Sequence, residues 1–274
     1  MIAIPRIVGM ETRQLALAAF QLQDPQAKVQ AVQALWAQAP GLALDVHAVF
    51  QAPDGPGRPA RPVLVAPKDV PHRTPFTPQG HAALMHSIVH IEFNAINLAL
   101  DCVWRFAGLP EAFYRDWLRV AYEESQHFSM LQQHLREAGY DYGDFTAHDG
   151  LWELCHATRH DLAARMALVP RTLEARGLDA TPLIQARLRK VGTPQAAQAI
   201  ALLDVILAEE EGHVAAGNRW YHWACARDGL PAASYAAQAA VEHRSPRPKP
   251  PYNINARRRA GFSEEELAAL PGNT

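Results

Sequence analysis

The chain has 274 residues, of which 49% are hydrophobic, and its formal net charge at pH 7 is −2. A chain of this length and apolar content can bury a sizeable core, either as one large domain or as two smaller ones. The near-neutral charge, with no long basic block before the C-terminal tail, disfavours nucleic acid as the main partner.

The three cysteines, Cys102, Cys155 and Cys225, are scattered and odd in number, and each lies in an apolar helical context. This pattern indicates buried free thiols in a reducing compartment and not a disulfide framework. The N-terminus lacks a signal-peptide pattern, and no apolar run reaches membrane-spanning length. We therefore expect a cytoplasmic protein that does not enter the membrane.

The first 78 residues predict two helices and a proline-rich strap. Helices are expected over residues 11–23 and 25–39, the second with Asp24 as N-cap and proline at its first position. Prolines recur between residues 40 and 78, which disfavours both a helix and a central strand. We expect an extended strap docked on the surface through residues 63–65, with a disordered linker as the alternative.

The rest of the chain predicts four long helices and a tail. Residues 177–181 are expected to interrupt the third helix, which Pro170 kinks, before a further helical stretch at 182–191. The tail is expected to be irregular apart from a short helix with a capping box at Ser263 and Glu266. The predicted helices are A (80–106), B (111–138), C (149–176) and D (194–227). The predicted regions are N-terminal helices and strap (1–78), an all-α bundle (79–228) and a C-terminal tail (229–274).

Helices B and D each carry a Glu-x-x-His motif, at Glu124 and His127 and at Glu210 and His213. Residues three apart on a helix share one face, so each carboxylate converges with its imidazole. In ferritin-like four-helix bundles, two such pairs and one glutamate from each of two further helices hold a dinuclear metal centre. The sequence therefore predicts half of such a centre on each helix.

Spacing from two similar hairpin turns supplies the missing glutamates. Glu124 lies 14 residues past the Gly-x-Pro turn at 108–110, and Glu210 lies 16 past the turn at 192–194. On the preceding helices, Glu92 lies 16 residues before the first turn and Glu174 lies 18 before the second. Residues equally far from the turn of an antiparallel pair lie at the same height. The match requires residues 177–181 to form a kink and not a reversal. The predicted ligands are Glu92, Glu124, His127, Glu174, Glu210 and His213.

Several nearby groups compete with this assignment. Glu123 and Glu209 lie four residues before the two histidines and offer alternative pairs. A third motif at Glu153 and His156 is about 27 Å of helix from Glu174 and cannot join the same cluster. The acids expected to orient the ligand histidines are Asp101, Asp161 and Asp204, with no basis for choosing among them.

Two further histidine pairs and an arginine run have open roles. His86 and His90, like His156 and His160, lie four residues apart, which suits zinc, although local hydrogen bonding or pocket lining is the commoner role. Arginines 257–259 are read as a solvated tail or as partners for acids on the bundle.

The residue types define three hypotheses about function. Four carboxylates and two imidazoles suit two iron ions and, less specifically, manganese. The first hypothesis is an oxygen-dependent oxidoreductase or hydroxylase acting on an unknown organic substrate. The second is a metal-binding or peroxide-detoxifying protein without such a substrate. The third is a metal-free scaffold in which the same groups form buried ion pairs and the strap and tail bind a protein partner.

Longer motifs surround the candidate ligands and recur along helices A to D. They are His90-Ile-Glu92, Leu98-Ala-Leu-Asp101, Phe113-Tyr-Arg-Asp-Trp117, Glu123-Glu-x-x-His-Phe128, His148-Asp-Gly-Leu-Trp152, Met166-Ala-Leu-Val-Pro-Arg171, Leu173-Glu-Ala-Arg-Gly-Leu-Asp179 and Glu210-x-x-His-Val214. With these motifs the chain resembles, over nearly its whole length, the uncharacterised bacterial ferritin-like family known as domain of unknown function 455. The resemblance implies a ferritin-like bundle with a di-iron site, and it places residues 166–179 among the family's hallmark motifs. More distantly, the arrangement is similar to ferritin-like transfer-RNA hydroxylases, which suggests a small-molecule or modified-nucleoside substrate, and a homodimer is compatible with such a bundle.

Overall fold

A computed structural model describes residues 10–51 and 53–272 of the chain. The chain is 69% helical, and the described residues form no strand, so the predicted all-α class is confirmed. The predicted N-terminal region and tail both extend into residues outside this range, 1–9, Ala52 and 273–274. No helix of the described part combines the length and apolarity needed to cross a bilayer. The helices are α1 (Thr12–Gln21), α2 (Pro25–Gln38), α3 (Pro78–Arg105), α4 (Glu111–Glu137), α5 (Gly150–Ala157), α6 (Leu162–Leu168), α7 (Ala175–Val191), α8 (Pro194–Asp228), α9 (Ala232–Glu242), α10 (Ile254–Arg259) and α11 (Glu264–Ala268).

The chain divides into two compact units. The first contains residues 1–71 and 86–148, and the second contains residues 72–85 and 149–274. The first unit thus holds α1, α2, most of α3, and α4, while the second holds the start of α3 and all helices from α5 onward.

In the first unit, two buried cations join the N-terminal helices to α3. Arg13 of α1 donates to the carbonyl oxygens of Val103 (3.1 Å) and Trp104 (2.9 Å) at the end of α3, where the carbonyls lack helical partners. Lys28 of α2 donates to the carbonyl oxygen of Phe20 (3.0 Å) and to the side chain of Asn97 in α3. These contacts satisfy the buried charges and fix α1 and α2 against α3.

The predicted strap is docked on the first unit. Its backbone forms an isolated bridge at Leu64, where Val65 donates to the Ala147 carbonyl (2.9 Å) and Ala147 donates to the Val63 carbonyl (3.1 Å). Gly57 donates to the Phe20 carbonyl (2.9 Å) at the end of α1. The strap thus pairs its backbone groups with the end of α1 and with the loop residue Ala147, as the docked alternative predicts.

In the second unit, the predicted course of helix C is wrong in two places. The helix ends at Ala157 and restarts as α6, because the Asp161 side chain accepts a hydrogen bond from Ala164 N (2.9 Å) and caps a new helix. The expected break at 177–181 does not occur, and α7 runs through it with Pro182 inside. Tertiary packing of α7 outweighs the low helix propensities of glycine and proline, roughly 1 and 3 kcal/mol.

The irregularity in this region lies earlier, as a π turn over residues Val169–Glu174. Pro170 lacks a backbone N–H and cannot continue the ordinary α-helical hydrogen-bond pattern. The hydroxyl of Thr172 donates to the Ala167 carbonyl (2.7 Å), five residues earlier. The predicted helix C is therefore α5, α6, the π turn and the first two residues of α7, which continues through the expected break into the helical stretch predicted at 182–191. The reversal that would have displaced Glu174 is absent from this described stretch.

The C-terminal tail is more ordered than expected, with α9 and α10 in addition to the predicted α11. The predicted capping box at Ser263 and Glu266 is confirmed. Residues of α10 and α11 form an apolar cluster with Val214 of α8 and Ala175 and Leu178 of α7. Sequence reasoning missed α10 because half of its six residues are arginines, while the contacts that stabilise it come from residues far away in the chain.

Candidate metal centre

In the first unit, α3 and α4 bring two of the predicted carboxylates to one imidazole. Nδ1 of His127 lies 3.3 Å from Oε2 of Glu124 and 3.6 Å from Oε2 of Glu92. All three side chains are buried, with exposures of 0% for Glu124 and His127 and 3% for Glu92. Each offers one ligand atom within 4.8 Å of the others. This arrangement is a candidate metal site.

Helix periodicity explains why these side chains converge. Glu124 and His127 are three residues apart on α4, so they share its buried face. Glu92 lies in the middle of α3, a helix buried on almost all sides from Ile88 to Trp104. Of the two competing glutamates, Glu124 is therefore the one beside the imidazole, because Glu123 turns to a half-buried ion pair with Arg119 (3.2 Å).

The electrostatics of this cluster favour a bound cation. Burial, and next the neighbouring Glu124 charge, raise the pKa of Glu92 well above its usual value. Burial alone lowers the pKa of His127, but hydrogen bonds to Glu124 and Glu92 outweigh this and raise it to about 11. Two buried carboxylates at one point repel each other, and a divalent cation removes that repulsion while using the same oxygen and nitrogen donors. The residues present thus fit a metal ion.

The second unit holds the other Glu-x-x-His pair on α8. Nδ1 of His213 lies 3.7 Å from Oε1 of Glu210, and the His213 side chain is fully buried. Glu211, the next residue, instead forms an ion pair with Arg259 of α10 through Nε (2.7 Å). The side chains at 210 and 213 thus repeat on α8 the pairing of Glu124 with His127.

Contacts within the second unit fix the height of Glu174 relative to this pair. The π turn meets α8 at Pro170 and Gly217, where a Cβ on residue 217 would lie 2.6 Å from the Pro170 Cβ. Further along the same antiparallel pair, Gln185 donates to Asp204 (2.7 Å). Four residues after Pro170 is Glu174, and four residues before Gly217 is His213. The register therefore places Glu174, which is itself buried, at the height of His213.

The remaining acids that the sequence offered have partners elsewhere in their own units. Asp101 forms an ion pair with Arg105 (2.7 Å). Asp204 accepts from Gln185, and Asp161 caps α6 and accepts from the hydroxyl of Tyr235 (2.7 Å).

The histidine pair on α3 forms local hydrogen bonds, as the commoner role predicted. The backbone N–H of Gly143 donates to Nε2 of His86 (2.9 Å), and Nδ1 of His90 lies 2.9 Å from the hydroxyl of Tyr142. His90 and Tyr142 also line a small surface depression of about 20 Å³ with Arg58 of the strap. Burial lowers the pKa of both histidines to about 4, which keeps the rings neutral.

Of the residues around the site, sequence reasoning missed Arg171 and Gly217. Arg171 follows Pro170 in the π turn and donates through Nε to Asn218 of α8 (2.6 Å). An isolated glycine inside a helical pattern signals close packing, and that signal was present at position 217. The three cysteines are buried and free, as predicted.

Comparisons with known proteins agree with the sequence resemblance. Residues 21–268 match a family described as "Protein of unknown function (DUF455)". An uncharacterized protein of Haemophilus influenzae is 51% identical over 216 residues, which cover 76% of this chain and 74% of the relative. No solved structure matches the chain. Because the family match spans nearly the whole chain and the relative is similar over most of its own length, the chain belongs to this family of proteins of unknown function.

Proposed function

We propose that the chain is a dinuclear metal-carboxylate protein that acts as an oxygen-dependent oxidoreductase, with iron as the metal. The observation that carries the proposal is the fully buried convergence of Glu92 and Glu124 on His127. Buried like charges are costly, and they persist in proteins mainly where a partner or a metal ion compensates them. We expect the first metal at this cluster.

The second half of the proposed centre comes from Glu174, Glu210 and His213. Its support is the repeated Glu-x-x-His pattern and the register that brings Glu174 to the height of His213. Together the two halves supply four carboxylates and two imidazoles, so their formal charge of about −4 balances two divalent cations when the imidazoles are neutral. Such a donor set suits iron, with manganese as the less specific alternative.

Two iron ions, when bound, supply the redox chemistry with dioxygen that oxidises an organic substrate. The chain's own residues hold the ions, balance their charge and exclude bulk water. If each histidine binds a metal ion through the Nδ1 atom that lies beside its glutamate, Nε2 would carry the ring proton, which fixes the tautomer. Burial keeps this chemistry out of contact with solvent.

Burial also favours a second candidate function. Glu124, His127 and His213 are 0% exposed. A closed site reacts most readily with small oxidants, so a metal-binding or peroxide-detoxifying protein without an organic substrate fits the same residues. The two functions differ in what is consumed: dioxygen together with a substrate, or peroxide alone.

Metal content of protein purified from a native-like host tests the proposal. The test variant is Glu124→Gln with Glu210→Gln, and the matched control is Glu123→Gln with Glu209→Gln, which changes the neighbouring glutamates on the same two helices. We expect about two metal ions per chain in the wild type and control, and loss of both in the test variant.

Two further readings separate the hypotheses. An absorption change when the ferrous protein meets oxygen supports the oxidoreductase, whereas turnover of peroxide alone supports the second candidate. No metal in any variant after anaerobic ferrous reconstitution, with thermal stability unchanged by Glu124→Gln, would identify the bundle as a metal-free scaffold.

A further inference from the structure

The π turn controls the direction in which Glu174 points. A π turn holds one residue more than an α-helical turn, and one residue corresponds to about 100° of rotation around the helix axis. Glu174 is the last residue of the turn, and α7 begins directly after it. If the turn became regular α-helix, the residue that points toward α8 at this height would be a neighbour of Glu174 in the sequence and not Glu174 itself. The π geometry therefore decides which side chain meets α8.

One arginine joins the turn to two other elements. The Nε group of Arg171 donates to Oδ1 of Asn218 in α8 (2.6 Å), and its guanidinium forms an ion pair with Glu266 of α11. The guanidinium also lies over the rings of Tyr221 (4.6 Å) and Phe262 (4.9 Å). Arg171 is buried, so these contacts replace its hydration.

The same network extends into the tail. Asn218, which accepts from Arg171, donates through its amide nitrogen to the Ala260 carbonyl at the end of α10 (2.7 Å). Glu266 also accepts from the backbone of Ser263 (2.9 Å), so the capping box of α11 holds the carboxylate that meets Arg171. The tail therefore contacts the π turn in two ways: Glu266 of α11 pairs with Arg171, and the end of α10 binds Asn218, the partner of Arg171.

We infer that Arg171, held by Glu266 of the tail and Asn218 of α8, is a positioning residue that maintains the π turn and thereby directs Glu174 toward the Glu210–His213 pair. This inference rests on the proposed function, because it gives Glu174 the role of a metal ligand. It assigns the C-terminal tail a part in building the metal centre, although the tail itself supplies none of the six ligands. Arg171 acts only through Glu174.

Cobalt(II) binding to the metal-free full-length chain tests this inference. The variants are Arg171→Gln and the milder Glu266→Gln, in which glutamine retains the capping box. The matched controls are Arg258→Gln and Glu264→Gln, which remove an exposed ion pair between the same two tail helices. Cobalt affinity, the visible cobalt spectrum and the melting temperature of the metal-free protein are measured for each.

We expect Arg171→Gln to weaken cobalt binding about 10- to 100-fold, the usual effect of removing a group that orients a ligand, and to alter the cobalt spectrum. Glu266→Gln should shift both in the same direction by a smaller factor, and the controls should match the wild type. In a Glu174→Gln background, Arg171→Gln should have no further effect on cobalt affinity, because the group through which it acts is already changed. Any loss of melting temperature from Arg171→Gln should persist in that background.

The possible failures are distinguishable. If the wild type binds neither cobalt nor ferrous ion, the proposed function fails and the inference fails with it. If the wild type binds metal and Arg171→Gln and Glu266→Gln leave affinity and spectrum unchanged, only the inference is refuted. Equal losses of affinity with and without Glu174→Gln would show that Arg171 acts through general folding, which also refutes it.

Discussion

Replacing Gly217 by alanine should destabilise the protein, although the same change inside a helix ordinarily stabilises it. Gly217 lies within α8, one turn past His213, and a Cβ there would lie 2.6 Å from Cβ and 2.7 Å from Cγ of Pro170. The propensity gain of glycine to alanine is about 0.5–1 kcal/mol, whereas overpacking costs about 1–3 kcal/mol. Because both atoms belong to a rigid ring in the π turn, relief requires the turn or α8 to move. We therefore expect a net loss of about 1–2 kcal/mol.

Gly177 provides a matched control in the same unit. It lies inside α7, and a Cβ built on it meets nothing within 4 Å. Gly177→Ala should therefore stabilise the protein by about 0.4–1 kcal/mol through helix propensity and reduced freedom of the unfolded chain. The two glycine substitutions should differ in sign.

Urea unfolding of the metal-free protein, followed by circular dichroism, measures both changes as shifts of the unfolding midpoint at constant slope. Cobalt affinity provides a second reading, because displacement of the π turn would also displace Glu174. If Gly217→Ala proves as stable as Gly177→Ala, the close contact between the π turn and α8 is absent in solution. The register that places Glu174 at the height of His213 would then lose its main support.

Further predictions concern buried charges and thiols. Asp179→Asn should cost about 3–5 kcal/mol in unfolding free energy, because it leaves the buried Arg257 guanidinium (2.6 Å away) without its charge partner, whereas Glu264→Gln, at an exposed ion pair with Arg258, should leave the unfolding free energy nearly unchanged. Burial disfavours the charged His86 ring and lowers its folded pKa to about 4, below the ordinary 6.5. The stability that comes from the neutral ring should be fully present above pH 6.5 and should fall by on the order of 3 kcal/mol as pH drops toward 4, where protonation also removes the acceptor for Gly143 N–H. His86→Gln should flatten this pH dependence of urea unfolding, and an unchanged slope would contradict the assignment. A thiol reagent should label no cysteine in the native protein and all three in denaturant.

The local features of the fold were predictable because they depend on neighbours in the chain. Asp24 accepts from Ala27 N (2.7 Å) and caps α2 as its sequence position indicates, and the capping box of α11 follows from the same rule. The pairing of Glu124 with His127 and of Glu210 with His213 is likewise a property of one helix. Periodicity alone could therefore indicate the two Glu-x-x-His pairs of the candidate centre, whereas Glu92 and Glu174 required their spacing from the hairpin turns.

The sequence-based prediction of secondary structure was wrong where contacts with residues distant in the chain determine the backbone conformation. The sequence around 177–181 contains glycine and approaches Pro182, which predicts a break, yet α7 continues because Leu178 packs in the apolar cluster formed with the tail and Asp179 binds Arg257. The arginine run at 257–259 allowed a solvated tail or ionic partners, and the structure confirms the second, with Asp179 and Glu211 as two of its acids. No local pattern identifies which acid each arginine meets.

The sequence by itself determined the all-α class, the family and the residue types that can bind metal, because helix periodicity and motif spacing are encoded within short segments. Only the tertiary structure decided that Glu124 and not Glu123 meets His127, and that Glu92 from another helix joins them. The tertiary structure also decided the π turn before α7. That turn depends on close packing of Pro170 against Gly217, and on the hydrogen bond of Arg171 to Asn218 and its ion pair with Glu266. These contacts join residues up to 95 positions apart, and their energies come from packing and charge pairing that no local window of sequence contains.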